Sequence, residues 1–171
     1  NVCRIETGDF HSADAIKKQI VNLEMIPLFG YLCNGFYRRD IVESNHLSLD
    51  ETFIVNEDFN FNIRFFKCVN FLKCIDYHGY HYAKRHVGSL SSQRGEYSYQ
   101  VNMYKIRALL GLFASSADIP TAIKQKIFWL YTRFVYSSLV NMIGKVSELW
   151  AVIQRDPLFS AFLVIRFDNF S

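Results

Sequence analysis

Phe59-Asn60-Phe61-Asn62-Ile63-Arg64-Phe65 is the stretch on which the fold turns. Its apolar residues alternate strictly with Asn60, Asn62 and Arg64. Successive strand side chains point to opposite faces, so a period of two predicts a half-buried β-strand here. The residues downstream extend that reading. Cys68–Tyr77 is apolar and rich in strand formers, His78-Gly79 reads as a turn, and Tyr80–Val87 reads as the next strand. A Gly/Ser-rich loop, Gly88 to Gly95, then leads to Tyr97–Tyr104, where Tyr97, Tyr99, Val101 and Met103 share one side. Strands joined by short turns predict an antiparallel meander of about five to six strands over 52–104, because parallel pairs need long crossovers.

Helices are expected on both sides of this sheet. Ser12 is a helix cap, Asp14 suits the first turn, and Ala13, Ile16, Ile20 and Leu23 recur at helical spacing. Lys17, Lys18 and Glu24 are expected to point away from that apolar face, and Pro27 ends the helix. Residues 1–11 read as a terminal arm and 28–50 as a loop-rich acidic region. The span 105–155 reads as helical: Lys105–Ala114, then a helix opened by Asp118-Ile119-Pro120, a break at Gly144, and a last helix closed by Asp156-Pro157. Phe159–Phe167 completes the chain as a buried strand within 159–168. The expected architecture is one α+β domain over 1–171, with an antiparallel meander packed against an N-terminal helix and C-terminal helices.

Composition narrows the class. The chain has 171 residues, half of them hydrophobic and 20% charged, which excludes intrinsic disorder. A chain of this length buries about 70% of its unfolded surface without needing a staple. The longest charge-free stretch, Met25 to Tyr37, is too short to span a bilayer and contains Pro27. The chain opens Asn1-Val2-Cys3, which reads as a fragment or processed form, and no basic segment followed by an apolar run suggests a signal peptide. Cys3, Cys33, Cys68 and Cys74 read as unpaired thiols of a reducing compartment, the cytoplasm or a virion interior. The net charge of +3 conceals a division. Residues 1–60 carry five Lys/Arg against ten Asp/Glu, residues 61–133 carry eleven against three, and residues 134–171 balance.

Several clusters carry possible chemistry. Tyr80, Tyr82, Lys84 and His86 would share one strand face, with Arg85 on the other, and aromatic rings beside cations can stack on bases and pair with phosphates. Lys124 and Lys126 add positive charge where a helix starts. A nucleic-acid-binding module is therefore one reading, although no zinc finger, RNP1-like string or helix-turn-helix supports it. Cys68, Cys74, His78 and His81 form the weak candidate for a metal site, and no cofactor is expected. On a straight strand the two thiols would stand about 20 Å apart, far beyond a tetrahedral zinc site. The acids Asp40, Glu43, Asp50, Glu51, Glu57 and Asp58 could include a catalytic pair, or simply a solvated surface. No Gly-x-Ser-x-Gly, His-Glu-x-x-His, Walker A or Gly-x-Gly-x-x-Gly occurs, so catalysis and a small-molecule substrate are not expected.

The helix after Pro120 makes the strongest interaction case. Beside its core stripe it carries a second row, Trp129, Arg133, Tyr136 and Val140, and Arg133 is the sole charge between Ile127 and Ile143. A surface helix is normally polar opposite its core stripe. One apolar on two faces is either central in the fold or covered by a partner, and Trp, Tyr and Arg dominate interfaces. The leading expectation is a non-enzymatic structural protein that self-associates as a homo-oligomer. Its basic face would meet an acidic partner, an anionic membrane surface or nucleoprotein, as in a viral matrix or coat protein. Zinc-containing or Cys/His enzyme chemistry is the third reading.

Overall fold

A computed structural model of the chain describes residues 5–53, 55–77, 79–80, 98–114, 118–141 and 145–167. It overturns the meander. In chain order the elements are β1 (Gly8–Phe10), α1 (Ala13–Met25), a 3-10 turn (Leu32–Asn34), α2 (Arg39–Ser44), α3 (Glu57–Phe66) and β2 (Leu72–Cys74). Then follow α4 (Ser98–Gly111), α5 (Thr121–Asn141), α6 (Val146–Arg155) and α7 (Pro157–Phe167). Among the described residues the sheet has two strands, β1 and β2, paired antiparallel with Asp9 opposite Lys73. The expected terminal arm thus supplies one of its strands.

The alternating Phe59–Phe65 stretch is helix α3, and its asparagines explain why. Asn60 and Asn62 are buried together with Phe59, Phe61, Ile63 and Phe65, so this helix has polar atoms inside on more than one side. Each amide is satisfied there. Asn62 donates to the Phe29 carbonyl at 2.6 Å and accepts from the Tyr37 hydroxyl at 2.8 Å, while Asn60 accepts from the Tyr104 hydroxyl at 2.7 Å. A buried amide costs little when its hydrogen bonds are made. Glu57 and Asp58 in the first turn and Arg64 in the last suit a helix dipole, which a strand does not reward.

The other two corrections follow the same physics. Tyr99 and Met103, expected on a strand, continue as Ile106 and Leu109 into one buried helical stripe on α4. Spacings of four and three decide the matter once the window is long enough. The expected strand 159–168 falls on α7, whose start is built by the residues read as a stop. Pro157 takes the first helical position, and the Asp156 carboxylate accepts from the Leu158 N–H at 2.9 Å. Within 28–50, the 3-10 turn and α2 interrupt the loop.

The expectations for α1, α5 and α6 agree with the structure. Ser12 caps α1, its hydroxyl accepting from the Ala15 N–H at 3.2 Å. Ile16 and Ile20 of α1, Ile127 and Leu130 of α5, Met103 of α4, Ile153 of α6 and Phe162 of α7 belong to one buried cluster. The α4–α5 and α1–α5 packings place α5 at its centre. No helix among the described residues is long and apolar enough to cross a membrane.

Candidate functional site

Helix α5 presents two unlike faces. Ile123, Ile127, Leu130, Tyr131, Phe134 and Ser138 face the core. Trp129, Tyr136 and Val140 face outward with 63%, 69% and 45% of their surfaces exposed. The sequence contains no Asp or Glu between Thr121 and Asn141, so nothing acidic interrupts this row. Arg133, read from the sequence as part of the contact, also has a task within the chain. Its guanidinium donates to the Met25 carbonyl at 2.9 Å and the Glu24 carbonyl at 3.1 Å, closing the C-terminal end of α1 onto α5. A cation at a helix C-terminus also meets the negative end of its dipole. Arg133 is thereby turned toward α1, with the exposed Trp129 and Tyr136 on either side of it along the helix.

Beneath that clasp lies a buried ion pair that sequence reasoning missed. Glu24 is 1% exposed, and Lys105 donates to its carboxylate at 3.1 Å. The ammonium also lies 5.0 Å from the Phe59 ring centre and 5.6 Å from that of Phe134. Burial pushes the Glu24 carboxyl above its ordinary range, opposed by Lys105 and more weakly by Arg133. Its second oxygen, Oε2, makes no hydrogen bond. The expectation that Glu24 points away from the apolar face is wrong. Glu24 follows Ile16 and Ile20 at steps of four, which places it on their side of the helix.

The remaining candidates divide. Tyr80 is exposed, while Tyr82, Lys84, Arg85, His86, His78 and His81 lie outside the described residues, as does the expected break at Gly144. Lys124 pairs with Asp118 at 2.8 Å and Lys126 donates to Asn22 Oδ1 at 2.6 Å, so both cations have partners within the chain. Cys68 is exposed near the end of α3, its thiol donating to the Arg64 carbonyl at 3.4 Å. Cys74 is buried in β2, where its sulfur accepts from Gln19 at 3.6 Å and burial raises its pKa. Among the described residues no group of three or more His, Cys, Asp and Glu is placed to hold a metal ion.

Four of the six acids of 40–58 have partners within the chain. Asp40 pairs with Arg38, Glu43 with Arg39, Asp50 accepts from Thr52, and Asp58 accepts from the Leu32 N–H at 3.1 Å. Those partners hold the Asp40 and Asp50 carboxyls below their usual range. The charge division is partly neutralised inside the molecule, since Glu24–Lys105 and Asp9–Lys73 each join the acidic segment to the basic one. A shallow cleft of about 220 Å³ lined by Glu6, Gln19, Asn22, Leu23 and Lys126 is smaller than ordinary ligand pockets.

The chain matches no family model, no curated protein and no solved structure.

Proposed function

We propose that this chain is a non-enzymatic assembly module that self-associates through the outer face of α5. The observation that carries the reading is the exposure of Trp129, Tyr136 and Val140 in one row, on a helix whose opposite side already fills the core. Those side chains stand outside the buried core cluster. An exposed ring of this size forgoes about 1.5–3 kcal/mol of burial that a partner can supply. Trp and Tyr at the centre of a patch are the residue types that dominate binding energy.

A second copy of the chain is the partner that fits. The row carries no acid, and its one cation is engaged with carbonyls of α1, so a partner needs rings and apolar surface more than complementary charge. The chain itself offers both. Light scattering over a dilution series tests this. Oligomers that dissociate on dilution are expected, and Trp129→Ala or Tyr136→Ala should shift the midpoint about 10-fold or more upward in concentration. A strictly monomeric chain at high concentration and low salt would remove the reading.

A further inference from the structure

We infer that the association is head-to-tail: Phe36 of one copy seats as a knob in the hole that Trp129, Thr132, Arg133 and Tyr136 form on α5 of the next. This inference rests on self-association through α5 and adds the other half of the contact.

Phe36 is 100% exposed, between Gly35 and Tyr37. The backbone on both sides of it is held. The Gly35 N–H donates to the Leu32 carbonyl at 3.1 Å, and the Arg38 carbonyl accepts from the Val42 N–H at the start of α2. Tyr37 is the anchor. Its hydroxyl donates to Asn62, and its ring meets those of Phe61 and Phe65 edge-on at 5.7 and 5.0 Å. Gly35 lets the chain cross that ring, since a Cβ there would lie 2.8 Å from the Tyr37 hydroxyl. The fold therefore fixes the base of Phe36 while giving the ring itself nothing to touch. A knob positioned in advance loses little conformational freedom on docking.

The socket has matching dimensions. Residues at i, i+3, i+4 and i+7 of a helix bound a hole that accepts one side chain from a facing partner. Residues 129, 132, 133 and 136 stand in that relation and are all exposed. Thr132 bonds back to the Phe128 carbonyl at 3.0 Å and Arg133 to the end of α1, so the floor is held low between two raised rings. Seven residues at 1.5 Å rise separate Trp129 from Tyr136 by about 10 Å. A phenyl ring seated midway stands about 5 Å along the axis from the level of each, which leaves both side chains within reach of it.

Charge favours this pairing over α5 against its own copy. The segment 28–58 that carries Phe36 holds two Lys/Arg against six Asp/Glu, and with Arg38 paired to Asp40 and Arg39 to Glu43 its surplus is Asp50, Glu51, Glu57 and Asp58, whereas α5 holds Lys124, Lys126 and Arg133 without an acid. A two-fold pairing centred on the row would bring the two Arg133 side chains together. Complementary surfaces orient an encounter and exclude the like-charged alternative. Because knob and hole occupy different patches, each docked copy keeps one of them available, and the contact propagates into a ring or filament.

Mixing complementary variants of the full chain tests the geometry by sedimentation velocity. Phe36→Ala removes the knob and keeps the hole; Trp129→Ala/Tyr136→Ala removes the hole and keeps the knob. Each alone should associate at least 10-fold more weakly than the unaltered chain. An equimolar mixture should recover association as far as a one-to-one dimer and stop there. Melting curves close to that of the unaltered chain establish that both variants fold. If Phe36→Ala associates like the unaltered chain, the head-to-tail contact is wrong while association through α5 stands. If both variants are monomeric and the mixture recovers nothing, Phe36 does not occupy this hole. An unaltered chain that never associates overturns both readings.

Discussion

The two sides of α5 reverse the usual arrangement of a surface helix. Inward, beyond the apolar stripe, lie Lys105 and Glu24, with the ammonium against the Phe59 and Phe134 rings. Outward stand Trp129 and Tyr136 with most of their surface in water. The inner charges are tolerable because they are paired and clasp three helices together. The outer rings make no such pairing, and the proposed self-association would give them a role outside the monomer.

The contrast sharpens if the two sides respond differently to substitution. The largest effect belongs to the buried pair. Lys105→Met leaves Glu24 buried without its cation and should cost about 3–5 kcal/mol in denaturant unfolding. Adding Glu24→Gln to that variant should recover much of the loss, because an amide tolerates burial better than a lone carboxylate. Equal stability of the single and double variants would mean that Glu24 is not the source of the cost.

Leu130→Ala, beneath the same helix, comes next. Leu130 is fully buried, and such a truncation costs about 2–5 kcal/mol through lost burial and the cavity left behind. Trp129→Ala, its sequence neighbour, should change stability by no more than about 0.5 kcal/mol. A comparable loss at both positions would erase the distinction between the faces.

The smallest expected effect is a pH slope. Burial raises the Glu24 pKa above its ordinary 4.5, so the folded chain holds that proton more tightly than the unfolded chain. The stability this confers is present below pH 4.5 and is lost as pH rises through the raised value. Unfolding free energies measured across that window should show this downward contribution, and Glu24→Gln should remove it. An unchanged profile in Glu24→Gln would place the Glu24 pKa near its unfolded value.

Sequence and structure agree where periodicity ran long and a cap marked the start. Ser12 and the Ile16/Ile20 stripe define α1, and Asp118-Ile119-Pro120 with Ile123, Ile127, Leu130 and Phe134 defines α5. Two of the misreadings arise where a buried polar group, or a helix apolar nearly all round, defeats the inference from pattern to face. Asn60 and Asn62 looked solvated and are hydrogen-bonded inside. The run from Leu158 to Ile165 is apolar except for Ser160, and no period separates so apolar a run from a buried strand. Of the candidate contact residues, Trp129, Tyr136 and Val140 were legible because α5 was. The clasp that Arg133 makes was not legible, since its carbonyl partners on α1 lie more than a hundred residues away in sequence. Phe36 carried no signal of its own, as its exposure follows from Tyr37 anchoring beneath α3.

The most direct test is sedimentation equilibrium on the unaltered chain and on Trp129→Ala/Tyr136→Ala, each with its thermal melt. The expected result is concentration-dependent oligomers for the unaltered chain and a weight-average mass near the 20.0 kDa monomer for the variant, with closely similar melting curves. Undiminished association of a variant that folds normally would contradict the assignment of the outer face of α5 to assembly.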